Sequence, residues 1–253
     1  ARGNSRKRSQ DQTYSRRQVT EPANEFDQVL LAQIRSLDRE LLDRWGRRGW
    51  WPTIRIAGRL PQYHPGREGR KLSEKKSFEI IVGAILTQNT AWSNVEKALI
   101  NLSKAGLLSL RRIARSRGRL ERAIRPSGYF NQKALRLREI SRRIIREGGI
   151  RRMAKIDTDR LRELLLSWKG IGPETADSIL CYAFNRPIFV VDAYTFRLFR
   201  RRGIPATNYD SIQSLVHAAL KPSAARYGDF HARIVEECRP RVGIASPKKS
   251  QPL

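Results

Sequence analysis

The stretch Trp168–Arg197, WKGIGPETADSILCYAFNRPIFVVDAYTFR, sets two features close together: a pair of glycines bracketing one isoleucine, and a lone acid, Asp192, closing the apolar run Ile188–Val191. Upstream, Leu161, Leu164, Leu165 and Trp168 recur at helical spacing and form one apolar stripe. Gly170 stops that helix, because glycine tolerates the left-handed backbone that ends helices. Pro173 suits the first turn of the next helix, where its missing N–H would have had no partner. Ala176, Ile179, Leu180 and Ala183 give that second helix its apolar face. KGIGPETAD (169–177) therefore reads as helix, tight turn, helix, with Ile171 turned inward and two glycines baring backbone amides.

Free N–H groups at a helix start favour an anion and suit a nucleic-acid phosphate. A glycine turn that merely joins two helices needs no ligand, and both readings fit this segment. Asp192 stands just before AYTFRLFRRRG (193–203), the place of a helix N-cap. The donors that a cap engages also keep a carboxylate ionised.

Composition narrows the partner. The 253 residues carry 51 Lys plus Arg against 24 Asp plus Glu, a formal charge of +27. With 40% apolar residues the chain has material for a core, so this charge is laid over a globular protein. Such a field gathers polyanions, of which nucleic acid is the commonest. No long uncharged apolar segment and no secretory leader are visible, which argues against a membrane and for a cytoplasmic, nucleoid-associated protein. Cys181 and Cys238 are too few for a disulfide scaffold, and His64, His217 and His231 show no metal-ligand spacing.

Residues 1–24 and 240–253 read as basic arms without apolar periodicity. Between them nearly every segment has a helical period. One stripe runs through Phe26, Val29, Leu30, Ile34, Leu37, Leu41 and Leu42; another runs through Phe78, Ile81, Val82, Ile85 and Leu86. Further helices are expected over 93–104, 107–115, 119–124, 131–147, 159–168, 173–184, 193–202, 209–220 and 226–238. No convincing period-2 strand or internal repeat interrupts them, so the fold class is all-α.

The hairpin followed by VVD (190–192) resembles the helix-hairpin-helix (HhH-GPD) base-excision DNA glycosylases of the endonuclease III superfamily. FEIIVGAILTQNTAWSNVEKAL (78–99) is similar to that family's first barrel helix and the loop that enters DNA, and RPSGYFNQKALRLREIS (125–141) to the segment before the hairpin. GWWP (49–52) and YGDFHARIVEECR (227–239) look most like the 3-methyladenine DNA glycosylase III branch. The resemblance implies a two-lobed fold: a six-helix barrel over 78–187, and a second lobe built from 25–77 and 188–239. It makes Asp192 the catalytic acid. It assigns Gln88 and Asn89 to the entering loop, and Lys169, Gly170, Ile171, Gly172, Glu174 and Thr175 to the DNA-gripping hairpin. Trp50, Trp51, Pro52 and Trp92 would hold the extruded base, with Arg233 where that branch has a lysine near the pocket.

Two departures refine the expectation. Members that also cut the strand carry a lysine just before the hairpin Ser/Thr, where this chain has Glu174. Endonuclease III holds an iron–sulfur cluster on four cysteines, and only Cys238 falls in that region. The implied protein is a monomeric, cofactor-free and metal-free glycosylase without lyase chemistry, acting on damaged bases such as 3-methyladenine in double-stranded DNA. A uracil or mismatched-thymine glycosylase is the alternative within the superfamily. A non-catalytic DNA-binding hairpin protein is the alternative outside it, although such a binder needs neither Asp192 nor a tryptophan-rich pocket. With two thiols in the whole chain, the purified protein is expected to be colourless and iron-free. Visible cluster absorbance with matching iron content would contradict this.

Overall fold

The computed structural model describes residues 25–205 and 207–239, so the two basic arms lie outside the described residues. The chain is all-α, and among the described residues the only β pairing is an isolated bridge between Thr53 and Gln62. Its helices are α1 (Glu25–Trp45), α2 (Glu74–Leu86), α3 (Trp92–Lys104), α4 (Leu110–Arg115), α5 (Arg119–Ile124), α6 (Phe130–Arg146), α7 (Ile150–Met153), α8 (Thr158–Leu166), α9 (Pro173–Ser178), α10 (Ala193–Arg201), α11 (Tyr209–Ala219) and α12 (Ala224–Cys238). A π-helical turn, Ile179–Ala183, continues α9 without a break. None of the described helices is long and apolar enough to cross a membrane.

The apolar interior forms two clusters. The first gathers α2, α3, the buried stripes of α6 and α8, Trp168, and the π turn. At its centre is α2, buried continuously from Ser77 to Leu86. Its sequence suggested one apolar face; neighbours on every side cover it instead, the expected state of a helix that is hydrophobic all round. Trp51 and Ile54 join this cluster, although sequence groups them with the other lobe. The second cluster packs α1 against α10, α11 and α12 through Ile34, Leu37, Leu41, Leu198, Phe199, Ile212, Val216, Phe230 and Ile234. Val29 and Leu42, at the edges of the α1 stripe, remain exposed.

The run IFVV threads between the clusters. Val190 packs into the first, and Phe189 and Val191 into the second. Successive side chains of an extended segment point to opposite sides, so an apolar run is what this seam requires. Asp192, the next residue, emerges at the seam's end.

Arg233 does not line a base pocket. It is almost wholly buried, and its guanidinium donates to the Asp38 carboxylate at 2.8 Å and the Asp38 carbonyl at 2.5 Å, with the Asp229 carboxylate at 3.2 Å. Asp38 also pairs with Arg226 at 2.9 Å. Both arginines lie on α12 and their carboxylate on α1, so this network ties the second lobe together. A buried guanidinium needs such partners, and Asp38 supplies them nearby.

Candidate active site and DNA-facing groove

The extended seam and the cap of α10 fix Asp192. Its Oδ1 accepts from the Thr195 amide at 2.8 Å and the Thr195 hydroxyl at 2.9 Å, closing a capping box with the Asp192 amide. Oδ2 turns towards His231 on α12, whose Nε2 lies 3.3 Å away. Burial pushes the Asp192 carboxyl up, but the facing histidine and the Thr195 donors outweigh it, holding the acid below the usual carboxylate range. The carboxylate is held ionised although its side chain is only 12% exposed.

Asp192 opens onto a groove of about 1040 Å³ whose walls include Gln88, Asn89, Tyr129, Lys133, Arg136, Gly172, Glu174, Thr175, Tyr194 and Arg197. The hairpin and the acid, thirty residues of one sequence stretch, therefore meet in a single cleft. Gly170 has φ +86, and a β-carbon there would strike the Arg136 guanidinium. Ile171 is buried as its apolar character requires, while Lys169 and Gly172 are exposed. The first-turn amides of α9 have no partner within the helix, and Gly172, Glu174 and Thr175, which carry them, line the cleft.

Glu174 shares the groove with Asp192. Although Glu174 is exposed, partial loss of water in the groove pushes its carboxyl up, and the negative charge of Asp192 adds to the effect. No amine occupies that position.

Gln88, on the loop between α2 and α3, reaches the hairpin. Its Nε2 donates to the Gly170 carbonyl at 3.0 Å and to the Thr175 hydroxyl at 2.9 Å, and Arg136 donates to its Oε1. It straps the α2–α3 loop to the hairpin, with its amide engaged at both ends. Asn89 instead stands exposed at the groove, in the left-handed region at φ 51.

The tryptophans lie behind the groove and do not line it. Trp50, Trp51 and Trp92 pack on one another with centroids 4.9–5.5 Å apart, and Trp51 continues to the Tyr182 ring at 5.4 Å. Pro52 is buried beside them. The cavity against Trp50, Trp51 and Tyr182 is about 60 Å³. A cavity of about 150 Å³ accommodates benzene, so a purine enters only if these rings move apart. Residue type alone does not separate aromatics that stack on each other from aromatics that wait for a ligand.

Three groove-side features had no single-residue signal in the sequence. Lys133 on α6 is buried and donates to the Leu86 carbonyl at 2.8 Å, the Ser127 carbonyl at 2.8 Å and the Thr90 hydroxyl at 2.6 Å, pinning the entering loop from below. Burial, helped by the charge of Arg136, brings its pKa down to about 8. Arg136 braces Gln88. Tyr182 and His231 bridge the tryptophan cluster to Asp192. The nearest available signal was the apolar face of α6, whose register turns Lys133 inward.

A four-iron cluster, which the resemblance raises, requires four thiolates. Cys181 is buried with its thiol pushed up by desolvation, and Cys238 closes α12. No other cysteine exists, so the donor set does not fit such a cluster. Among the described residues no group of three or more His, Cys, Asp or Glu side chains could hold a metal ion.

With this geometry in view, comparisons with known proteins converge. Residues 82–222 match the family described as HhH-GPD superfamily base excision DNA repair protein. The chain is 40% identical over 205 residues to a Methanocaldococcus jannaschii protein named "Putative DNA repair glycosylase", covering 79% of this chain and 84% of that one. It is 31% identical over 149 residues to endonuclease III of Thermotoga maritima, covering 58% and 63% respectively. Among solved structures it resembles the 3-methyladenine DNA glycosylase of H. pylori bound to 1,N6-ethenoadenine, with TM-score 0.63, 30% identity, and coverage of 82% of this chain and 95% of that chain.

Gly172 gives a clean test of the groove. A β-carbon there meets nothing within 4 Å and its φ is −98, so Gly172→Val should fold normally. The added branches would stand where a phosphate approaches the α9 amides. Affinity for duplex DNA of any sequence is expected to fall about tenfold, and the log–log salt slope to shrink by about 0.9 for one lost phosphate contact. Unchanged affinity in the folded variant would remove the hairpin from the interface.

Proposed function

Because the chain belongs to the HhH-GPD superfamily of base excision DNA repair proteins, we propose that it is a monofunctional DNA glycosylase that releases alkylated purines such as 3-methyladenine. The observation that carries this reading is the Asp192 carboxylate, fixed by a helix cap on the wall of the groove that also holds the hairpin.

The glycosidic bond is out of reach within stacked DNA, so the nucleotide must be turned out of the helix, and damaged pairs cost least to open. Cleavage of the C1′–N bond leaves both bonding electrons on the base and a cation on the sugar. Asp192 stabilises that cation through its charge. Water then adds at C1′ and loses its proton to solvent. The role this reading gives Asp192 is electrostatic. Such a site suits a base that departs without first being protonated. A purine alkylated at N3 is already cationic and leaves as a neutral molecule. Electron-rich indole faces attract such a ring by about 0.5–2 kcal/mol once Trp50 and Trp92 part to admit it.

Strand cleavage through a Schiff base needs a free amine at C1′. Glu174 stands at the position where strand-cutting relatives have lysine, and all three protons of the groove's buried amine, Lys133, are engaged. Borohydride treatment during turnover is expected to trap no protein–DNA adduct. A trapped adduct that disappears in a Lys133→Met variant would assign lyase activity to that residue.

Asp192→Asn tests the central assignment, since asparagine caps a helix as well as aspartate. Base release from methylated duplex should fall by at least a hundredfold, with lesion binding retained. Full activity in this variant would exclude Asp192. Release of uracil or mismatched thymine with no alkylpurine would move the substrate to the other branch.

A further inference from the structure

His231 is 6% exposed, is contributed by α12, and does not line the groove. Its Nδ1 lies 2.7 Å from the Tyr182 hydroxyl, which is itself 2.9 Å from the Gly228 carbonyl. Its Nε2 lies 3.3 Å from Asp192 Oδ2, an approach that falls short of an aligned hydrogen bond and leaves Nε2 otherwise without a partner. The Tyr182 ring sits in a notch at Gly228, where a β-carbon would come within 2.9 Å of it. The π turn carries Tyr182 into that notch.

Proton counting limits what this chain of contacts can be. Tyr182 has one hydroxyl proton. If it goes to His231 Nδ1, the neutral ring carries its own proton on Nε2. The Gly228 carbonyl then keeps the helical amide four residues ahead as its donor. If the hydroxyl proton goes to Gly228, His231 must donate from Nδ1. A neutral ring would then aim a lone pair at the Asp192 carboxylate inside a buried site, which only a second ring proton relieves. With Asp192 ionised, every tolerable arrangement puts an N–H on Nε2, facing it.

We infer that His231 is a positioning residue for Asp192, with its ring set by Tyr182 so that Nε2–H holds Oδ2 while Thr195 holds Oδ1. The acid is thereby gripped at both oxygens and presents one fixed edge to the groove. Tyr182 also packs on Trp51, so the grip is continuous with the tryptophan cluster. The groups facing Asp192 are Glu174 from the hairpin helix, Tyr182 from the π turn, Thr195 from α10, and His231 and Cys238 from α12. Those facing His231 are Asp192, Glu174 and Tyr182, with the Phe189 ring packed against it. Among these groups His231 is the one within hydrogen-bonding reach of Oδ2. The inference rests on Asp192 being the catalytic carboxylate.

The test compares wild type, His231→Phe, His231→Gln, Tyr182→Phe and Asp192→Asn in single-turnover release of the base that wild type excises, with lesion affinity measured in parallel. His231→Phe keeps a ring in the buried site and should lose roughly tenfold or more in rate, the scale typical of orienting partners, with affinity within about threefold. Its acid limb should move to higher pH, because Asp192 loses the partner that favours its charge. His231→Gln, which restores a side-chain N–H, should recover part of the rate, and Tyr182→Phe should fall between. In wild type free of DNA, nitrogen-15 spectra of the His231 ring should show a protonated Nε2. An inactive Asp192→Asn together with a His231→Phe of wild-type rate and acid limb would overturn the inference and leave the function standing. An unprotonated Nε2 would overturn it on its own. An active Asp192→Asn would instead bring down the functional reading beneath it.

Discussion

Everything at the site depends on keeping one carboxylate charged where solvent barely reaches it. Removing an acid from water favours its neutral form, and Asp192 is nearly enclosed. The cap of α10 opposes that tendency with two donors on Oδ1, and His231 opposes it at Oδ2. The cap alone is a common device for starting a helix. Here it starts the helix at the mouth of a groove, because the run before it is pulled taut between two apolar clusters. Move the seam by one residue and the alternation of Phe189, Val190 and Val191 points each side chain at the wrong core.

The groove collects the remaining parts by the same economy. The hairpin turn exposes the α9 amides, Gln88 straps the entering loop to that turn, and Lys133 holds the loop from beneath with all three of its protons. Each strut is a buried or half-buried polar group whose partners are backbone carbonyls or hydroxyls. Such groups are costly to leave unpaired, so the loop and hairpin keep one arrangement. The chain's large positive charge favours a polyanion, and the function proposed above gives the acid in this cleft a sugar that becomes positive.

How far the sequence alone reaches can be judged residue by residue. The helix–turn–helix at Gly170 and the cap at Asp192 are local devices, written in adjacent residues, and both were legible. The helices followed from periodicity to within a few residues, apart from the four-residue α7 and a later start for α4. Arg233 was misread because its partner Asp38 lies 195 positions away, and a buried ion pair leaves no mark in local spacing. The tryptophans were readable as aromatics near the site but not as rings packed edge-on and tilted against each other. The contact between Tyr182 and His231 was invisible for two reasons. It joins residues 49 apart, and it depends on a π turn that shifts the register of the helix carrying Tyr182.

The claim that joins fold to chemistry is that this architecture keeps Asp192 ionised before any DNA arrives. Carbon-13 NMR of its carboxyl across an acid titration of the free protein reads that state directly. The account predicts a midpoint below that of an unperturbed aspartate, about 3.9. A midpoint shifted upward, towards neutral pH, would mean that burial wins over the cap and His231, and would contradict an electrostatic role for Asp192.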